Sequence, residues 1–315
     1  MQWFAQAPSN IALIKYMGKK DVENNIPINP SLSYTLNNLL SSVVLEKYAG
    51  KKDRWEPLEM PGALPFQLST SAQERFLKHL AHLKALVDYS GVFIVRSCNN
   101  FPLGSGLASS ASSFAALTKC ATMALSELTQ TPLPSVETQA ELSRLGSGSS
   151  CRSFFSPWAL WEEETVHAID LPYTQLIHQV IVISHREKEV PSSTAHLRIL
   201  TSPGYATRSI RAKQNLKSLL HELEARDWTS AYKTCWREFQ DLHSLFSTCS
   251  EPFSYMTETG KTALNDLQDL WQREGDGPIV TMDAGPNIHI LYRPDQADQA
   301  LRFKKDYLVG NYDVL

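Results

Sequence analysis

A run of small residues between an apolar segment and a helical one constrains this chain more than any other feature. The apolar segment, Val92-Phe93-Ile94-Val95, is typical of a strand, and the helical segment begins near Ser109. Pro102-Leu103-Gly104-Ser105-Gly106-Leu107-Ala108 stands between them. Gly104 and Gly106 lack a Cβ, so an anion can approach the backbone closely. The first N–H groups of a helix have no partner inside it and attract anions. This order therefore predicts a phosphate-binding loop.

The letters of the loop exclude the two commonest phosphate-binding motifs. No Gly-Lys-Ser/Thr follows the glycines, and the third glycine of the dinucleotide fingerprint is missing. The hydroxyl groups of Ser105, Ser109 and Ser110 would add hydrogen-bond donors. Taken alone, the loop also fits an ordinary Gly/Ser turn that Ser109 caps.

Length, charge and cysteine content limit the class of protein. The 315 residues are 43% hydrophobic, which is enough for one or two packed domains. The net charge of −3 argues against nucleic acid or an anionic membrane as an obligate partner. We find no apolar run long enough for a membrane span and no segment typical of a signal peptide. The five scattered cysteines lack a Cys-x-x-Cys pair, so we expect reduced thiols, no zinc and a cytoplasmic location.

The order of the predicted elements indicates an α+β fold with two lobes. Ser71-Ala72-Gln73-Glu74 has the letters of a capping box and is expected to begin a helix. The elements predicted for the second lobe include helices at 205–224, 227–247, 255–271 and 295–306, and a pair of strands at 278–282 and 288–292. We therefore expect an N-terminal domain over 1–175 and a C-terminal domain over 176–315.

Three further segments contain ionisable residues whose sequence neighbours indicate a binding or catalytic role. Lys15 interrupts an apolar run, where a lysine snorkels, pairs or meets an anion. Gly146-Ser147-Gly148-Ser149-Ser150-Cys151-Arg152-Ser153 is a donor-rich turn whose arginine suits a carboxylate, although a helix C-cap with a surface arginine is the alternative. Thr281-Met282-Asp283-Ala284-Gly285-Pro286-Asn287 places an aspartate at the mouth of an apolar strand, where a turn-forming role is the alternative.

Together these segments resemble those of one enzyme family. The loop resembles the Pro-x-x-x-Gly-Leu-x-Ser-Ser-Ala loop of the GHMP kinase superfamily. With Asn99-Asn100-Phe101 before it, it resembles the diphosphomevalonate decarboxylase branch. Residues 10–19 resemble the family's Asn-Ile-Ala-x-x-Lys-Tyr-Trp-Gly-Lys signature. The remaining matches follow in the family's order, at residues 27–36, 146–153, 188–194 and 281–287.

The chain departs from the family's pattern at two places. Met17 replaces the usual Trp, which removes no charged group. Pro191 is extra relative to the pattern Lys-x-Val-Ser-Ser-Thr, and Ala195-His196-Leu197 stands where a Gly-Met pair is usual. The second departure lies in the segment that the resemblance assigns to the substrate's phosphate groups.

The resemblance implies a two-lobed GHMP kinase fold, with an N-terminal lobe like domain 2 of ribosomal protein S5, a ferredoxin-like C-terminal lobe and assembly as a homodimer. It implies ATP-dependent decarboxylation of mevalonate 5-diphosphate to isopentenyl diphosphate, with Mg²⁺ held through the ATP phosphates. The implied catalytic residues are Asp283, Lys15 and Arg152. The residues implied to bind the substrate are Tyr16, Lys19, Ser147, Ser149, Ser192 and Ser193. Those implied to bind the ATP phosphates are Gly104, Ser105, Gly106, Leu107, Ala108, Ser109 and Ser110.

Three other functions remain open at this point. The chain fits a decarboxylase of mevalonate monophosphate or a mevalonate 3-kinase of the same fold, since the divergent 191–197 segment leaves the head group undecided. It also fits a non-catalytic ligand-binding homologue, although its set of ionisable residues is intact. Nucleic-acid binding is disfavoured because the chain is acidic and lacks a basic stripe.

Overall fold

The computed structural model describes residues 1–64, 67–102, 109–184 and 188–315. These residues form two large β-sheets, a two-stranded sheet and the helices that pack on the large sheets. The strands in these ranges are β1 (Gln2–Ala12), β2 (Lys19–Asp21), β3 (Ile26–Pro27), β4 (Ser31–Tyr48), β5 (Arg54–Pro57), β6 (Val92–Asn99), β7 (Trp158–Glu162), β8 (Thr165–Ala168), β9 (Ile177–Val182), β10 (Ile279–Met282), β11 (Ile288–Tyr292) and β12 (Asp313–Val314). The α-helices are α1 (Thr70–Ala85), α2 (Ser109–Thr129), α3 (Val136–Gly146), α4 (Ser192–Arg198), α5 (Arg208–Glu224), α6 (Trp228–Thr248), α7 (Glu258–Glu274) and α8 (Ala297–Phe303).

The long strand β4 organises the first sheet. It pairs antiparallel with β1, β6 and β7, while β5 runs parallel to β6 at the edge and β8 pairs with β7. The register between β1 and β4 shifts between Pro8, which faces Leu40, and Ser9, which faces Leu36. Proline has no N–H to give to the ladder, so it suits such a bulge. Beyond the shift, β1 continues beside residues 33–36 and leads into the segment that carries Lys15.

The second sheet is antiparallel and has the order β10-β11-β9-β12. One apolar core contains Ile11 and Trp158 beside the first sheet, together with Leu219, Phe239 and Ile290 beside the second. The two lobes therefore share buried apolar surface, which holds them together over the site. The division at residue 175 stays a prediction, although the change of sheet occurs between β8 and β9.

The predicted mixed α+β class is confirmed, and two local predictions are corrected. The first helix begins at Thr70, because the Oγ of Ser69 accepts the Ala72 N–H at 3.3 Å and caps it, so Ser71 lies inside the helix. The strand near the N-terminus ends at Ala12, which places Lys15 in the connection after it. A lysine there is free of the sheet's hydrogen bonds, so its main chain can be held by other groups.

The five cysteines are free and buried. Burial raises the pKa of the Cys120 and Cys151 thiols to about 12, so both are protonated and unreactive at neutral pH. Among the described residues, none of the helices combines the length and the apolar character that crossing a membrane requires.

A buried ion pair of the second lobe holds the main chain of Lys15. Arg208 on α5 and Glu238 on α6 contact each other and are both 0% exposed. The Lys15 N–H donates to Glu238 Oε1 at 3.0 Å, and Arg208 Nη2 donates to the Lys15 carbonyl at 3.2 Å. Asp241 also accepts from Arg208, at 2.7 Å. Both main-chain groups of Lys15 are thus satisfied by charged side chains from across the lobe boundary.

We expect Glu238→Gln to destabilise the protein by roughly 3–5 kcal/mol, because removing one partner leaves a charge buried without its partner. Urea denaturation would measure the loss. The control is Glu258→Gln, which removes an exposed pair with Lys261 and should change the free energy of unfolding little. An equally small effect of both variants would mean that Asp241 alone neutralises Arg208.

Candidate active site

A cavity of about 360 Å³ lies between the lobes and gathers charged side chains from both. The cationic residues among the described lining are Lys15, Lys19, Arg75, Arg152 and Lys188. Asp283 is the carboxylate that faces them in the described lining. A cavity with this excess of positive charge suits an anionic ligand.

Lys15 and Asp283 form an ion pair inside this cavity. Lys15 Nζ lies 2.6 Å from Asp283 Oδ1 and also donates to the Ala12 carbonyl. Burial by itself would raise the pKa of Asp283, but the positive charge and hydrogen bond of Lys15 outweigh it, so the pKa is lowered. Burial in turn lowers the pKa of Lys15, which is 1% exposed. Asp283 is therefore an ionised carboxylate at neutral pH, with 26% of its side chain open to the cavity.

The turn after β10 aims the Asp283 carboxylate. The Gly285 N–H donates to the Asp283 carbonyl at 2.8 Å, which closes the turn. His243 on α6 donates from Nε2 to the same carbonyl at 3.1 Å. Burial lowers the pKa of His243 to about 4, so its ring is neutral and carries the donated proton on Nε2. Because the sequence around His243 reads as part of a helix, sequence reasoning did not assign it to the site.

Arg152 is held rigidly at the opposite wall. It lies in a 3₁₀ helix over Gly148–Phe154 and is 3% exposed. Its Nε donates to Asn10 Oδ1 at 3.0 Å, and its Nη1 donates to Ser31 Oγ at 2.7 Å. Within the described residues Nη2 has no such partner, and it is the nitrogen left for a ligand. Sequence reasoning missed the orienting roles of Asn10 and Ser31, although both stand in segments that matched the family.

Tyr16 presents a hydroxyl group without a hydrogen-bond partner among the described residues. Its ring lies between Trp161, at 4.6 Å, and His196, at 4.7 Å. A Cβ on Gly148 would come within 2.7 Å of this ring, so glycine is needed there. Burial raises the pKa of Tyr16, so the hydroxyl is a donor at neutral pH.

The remaining predicted residues for substrate binding lie around the same cavity. Lys19 Nζ donates to Asn25 Oδ1 at 2.6 Å, and burial lowers its pKa. The serines predicted to bind substrate also line the cavity: Ser147, Ser149, Ser192 and Ser193. The structure therefore brings the residues predicted for catalysis and for substrate binding together, while their roles stay proposals.

The loop predicted to bind phosphate is described only at its end. Gly104, Ser105, Gly106, Leu107 and Ala108 lie outside the described residues. Ser109 and Ser110 begin α2 and line the cavity. Their hydroxyl oxygens fit a site for phosphate and for Mg²⁺ carried by phosphate, because Mg²⁺ prefers oxygen ligands.

Lys188 and Arg75 were not predicted as site residues. Lys188 Nζ donates to Ser192 Oγ at 2.6 Å and to the Ala284 carbonyl at 2.5 Å. Burial lowers its pKa to about 8. Arg75 on α1 reaches the cavity from a helix whose letters predict a solvated face. The resemblance to the family's segment that begins at Lys188 could have assigned Lys188 to the site. The sequence around Arg75 contains no comparable signal.

We expect inorganic pyrophosphate to stabilise the folded protein through this cavity. A ligand at tenfold its dissociation constant adds about 1.4 kcal/mol to the free energy of unfolding. Thermal unfolding would show a rise in Tm that weakens with salt and that Lys19→Gln reduces. Lys261→Gln, at an exposed ion pair, serves as the control. The same rise in Lys19→Gln as in the wild type would place the anion elsewhere.

Comparison with known proteins identifies the family. The model of the diphosphomevalonate decarboxylase-like N-terminal domain matches residues 7–169, and that of the mevalonate 5-diphosphate decarboxylase C-terminal domain matches residues 178–314. The chain is 30% identical to the diphosphomevalonate decarboxylase of Candida albicans over 93% of this chain and 84% of that one. It is 65% identical to a mevalonate diphosphate decarboxylase from Legionella pneumophila, with a TM-score of 0.95 and full coverage of both chains.

A third relative was solved with ligands. The structure of MDDEF in complex with MVAPP, AMPPCP and magnesium is 26% identical, with a TM-score of 0.86 over 100% of this chain and 96% of that one. The two domain matches follow each other along almost the whole length, and the lobes have the corresponding fold. This chain therefore belongs to the diphosphomevalonate decarboxylase family, has its GHMP kinase fold and is an enzyme of this type.

Proposed function

We propose that the cavity performs ATP-dependent decarboxylation of mevalonate 5-diphosphate, which yields isopentenyl diphosphate, ADP, phosphate and CO₂. The observation that carries this proposal is the convergence of the Lys15–Asp283 pair and Arg152 on one cavity lined by further cations. A carboxylate substrate with a diphosphate group needs both a guanidinium and several positive charges.

In the first step the oxygen of the substrate's tertiary 3-hydroxyl bonds to the γ-phosphorus of ATP while the bond to the β–γ bridging oxygen breaks and ADP leaves. Asp283 accepts the hydrogen bond from that hydroxyl and takes its proton as the new O–P bond forms. The lowered pKa makes Asp283 a weak base, so its main contribution is to orient the oxygen. Phosphoryl transfer has a loose transition state that needs positioning and charge neutralisation more than strong base catalysis. Lys15, at 2.6 Å from Asp283, supplies positive charge where it is required.

In the second step the new 3-phosphate leaves with the electrons of its C–O bond. The electrons of the bond to the carboxyl carbon form the double bond, and CO₂ departs. Arg152 holds the carboxylate through its free nitrogen, because Asn10 and Ser31 occupy the others. This orientation aligns the breaking bonds, which is how a rigid guanidinium contributes to the rate.

The phosphate groups are bound by the remaining residues of the cavity. Tyr16 and Lys19 bind the substrate's diphosphate with Ser147, Ser149, Ser192 and Ser193. Ser109 and Ser110 bind the ATP phosphates. Lys188, which donates to Ser192 Oγ, adds its positive charge on the side of the substrate's diphosphate. Mg²⁺, held through phosphate oxygens and water, would neutralise part of the triphosphate charge when bound. We further propose that the enzyme acts in the cytoplasm as a homodimer, as the resemblance implies.

The test supplies Mg²⁺-ATP and mevalonate 5-diphosphate and follows ADP and CO₂ together. We expect equal release of both in the wild type. Asp283→Ala should still bind ATP but lose turnover by roughly 10²–10⁴-fold. The control is Asp269→Ala, on the exposed face of α7. Release of ADP without CO₂ would indicate a 3-kinase. If neither product is released from this substrate, mevalonate monophosphate would be tested next. Near-normal turnover of Asp283→Ala would remove Asp283 from the mechanism.

The ionisation of Lys188 should appear in the pH dependence of the reaction. Its ammonium is charged below a pKa of about 8 and neutral above it. Because the charged form binds phosphate, kcat/KM for mevalonate 5-diphosphate should fall by about tenfold per pH unit above pH 8. Lys188→Arg stays charged throughout and should extend the plateau. If kcat/KM of Lys188→Arg falls above pH 8 as it does in the wild type, the fall is caused by the ionisation of another group.

A further inference from the structure

His196 is an unassigned donor in the wall of the cavity. It lies on α4, is 9% exposed and lines the cavity beside Tyr16. It stands in the segment where the chain departs from the family's pattern, at a position where Gly-Met is usual. The ring is therefore a feature of this chain that the mechanism above leaves unused.

The hydrogen bonding of the ring determines which nitrogen carries its proton. The Gly18 N–H donates to His196 Nδ1 at 3.0 Å, so Nδ1 is an acceptor and bears no hydrogen. A neutral imidazole then carries its proton on Nε2. In the described part of the chain, the His196 ring hydrogen-bonds to Gly18 through Nδ1, and its Nε2–H group remains available to a ligand. The ring packs against the Tyr16 ring, at 4.7 Å between centroids, and lines the cavity.

Two lysines near His196 determine which kind of ligand its Nε2–H group can bind. Burial, with the positive charges of Lys19 and Lys188, lowers the pKa of His196 to about 3, so the ring is neutral. The same two charges would attract an anion to the space near the ring. A neutral N–H group between ammonium groups adds a directed hydrogen bond without adding to their mutual repulsion. The neighbours Tyr16 and Lys19 are the residues proposed above for the substrate's diphosphate.

We propose that His196 binds the substrate, donating from Nε2 to an oxygen of the diphosphate group of mevalonate 5-diphosphate. This assignment rests on the proposed function for the identity of the substrate. It adds a recognition contact that the side chains of the Gly-Met pair usual in this segment cannot make, because neither has an N–H to donate.

Two amide substitutions separate the two nitrogens of the ring. Asparagine can place an oxygen near the position of Nδ1 and so keep the acceptor for Gly18, but it lacks the distal donor. Glutamine can place an N–H near the position of Nε2. We expect His196→Asn to raise the KM for mevalonate 5-diphosphate and the Kd of inorganic pyrophosphate by about tenfold or more, the cost of a hydrogen bond to a charged group. His196→Gln should keep both constants within about threefold of the wild type.

Steady-state kinetics and calorimetric titration with pyrophosphate provide the two readouts. In His196→Asn, kcat and the KM for ATP should stay within about twofold of the wild type, since the contact concerns the substrate alone. His167→Asn, at an exposed histidine on β8, is the matched control.

Three outcomes would overturn the assignment. These are an unchanged substrate KM in His196→Asn, an equal loss in both variants together with a lowered Tm, and a rise confined to the KM for ATP. The second would mean that the ring only supports the Gly18 main chain. Absence of turnover in the wild type would refute the proposed function, whereas the pyrophosphate titration of His196→Asn would still decide whether His196 contacts a diphosphate.

Discussion

The buried ion pair between Arg208 and Glu238 is the interaction on which the geometry of the site depends. Both side chains are removed from water, and both main-chain groups of Lys15 hydrogen-bond to them. Desolvating two charges is costly, so such a pair needs favourable geometry and further hydrogen bonds. Here two of those hydrogen bonds come from the other lobe. The consequence is that the position of Lys15, and through it that of Asp283, depends on how the two lobes pack.

The electrostatics of the cavity follow from this arrangement. In the described lining five cationic side chains face one carboxylate, and that carboxylate is already paired with Lys15. Like charges held close together destabilise the folded state, so such a site costs stability in the absence of its ligands. Anionic substrates relieve the repulsion when they bind. Burial, together with the positive charge of Arg75, lowers the pKa of Lys19, which is a sign of the same cost.

Sequence patterns predicted the elements well where one periodicity dominated. The alternation of buried and exposed residues at the start of β1 and the long helices α5 and α6 agree with the predictions. The predicted cap of α1 was wrong by two residues, because Ser69 and Ser71 can both cap a helix and the sequence pattern does not distinguish them. The motif segments also located Lys15, Arg152 and Asp283, which the fold brings to one cavity. Sequence reasoning did not assign roles to Asn10, Ser31 and His243, because each role depends on a partner remote in sequence. Asn10 and Ser31 lie 142 and 121 residues from Arg152, and His243 lies 40 residues from Asp283.

The sequence by itself determined the family, the α+β class and the ionisable residues that stand in short, recognisable segments. Local order is sufficient for this, since a motif is a property of neighbouring residues. Tertiary structure decided which groups meet and in what state of protonation. The pairing of Lys15 with Asp283, the two hydrogen bonds that orient Arg152 and the proton on Nε2 of His196 all depend on distances between segments remote in sequence. The physical reason is that burial and Coulomb interactions are set by three-dimensional separation, which one-dimensional spacing does not specify.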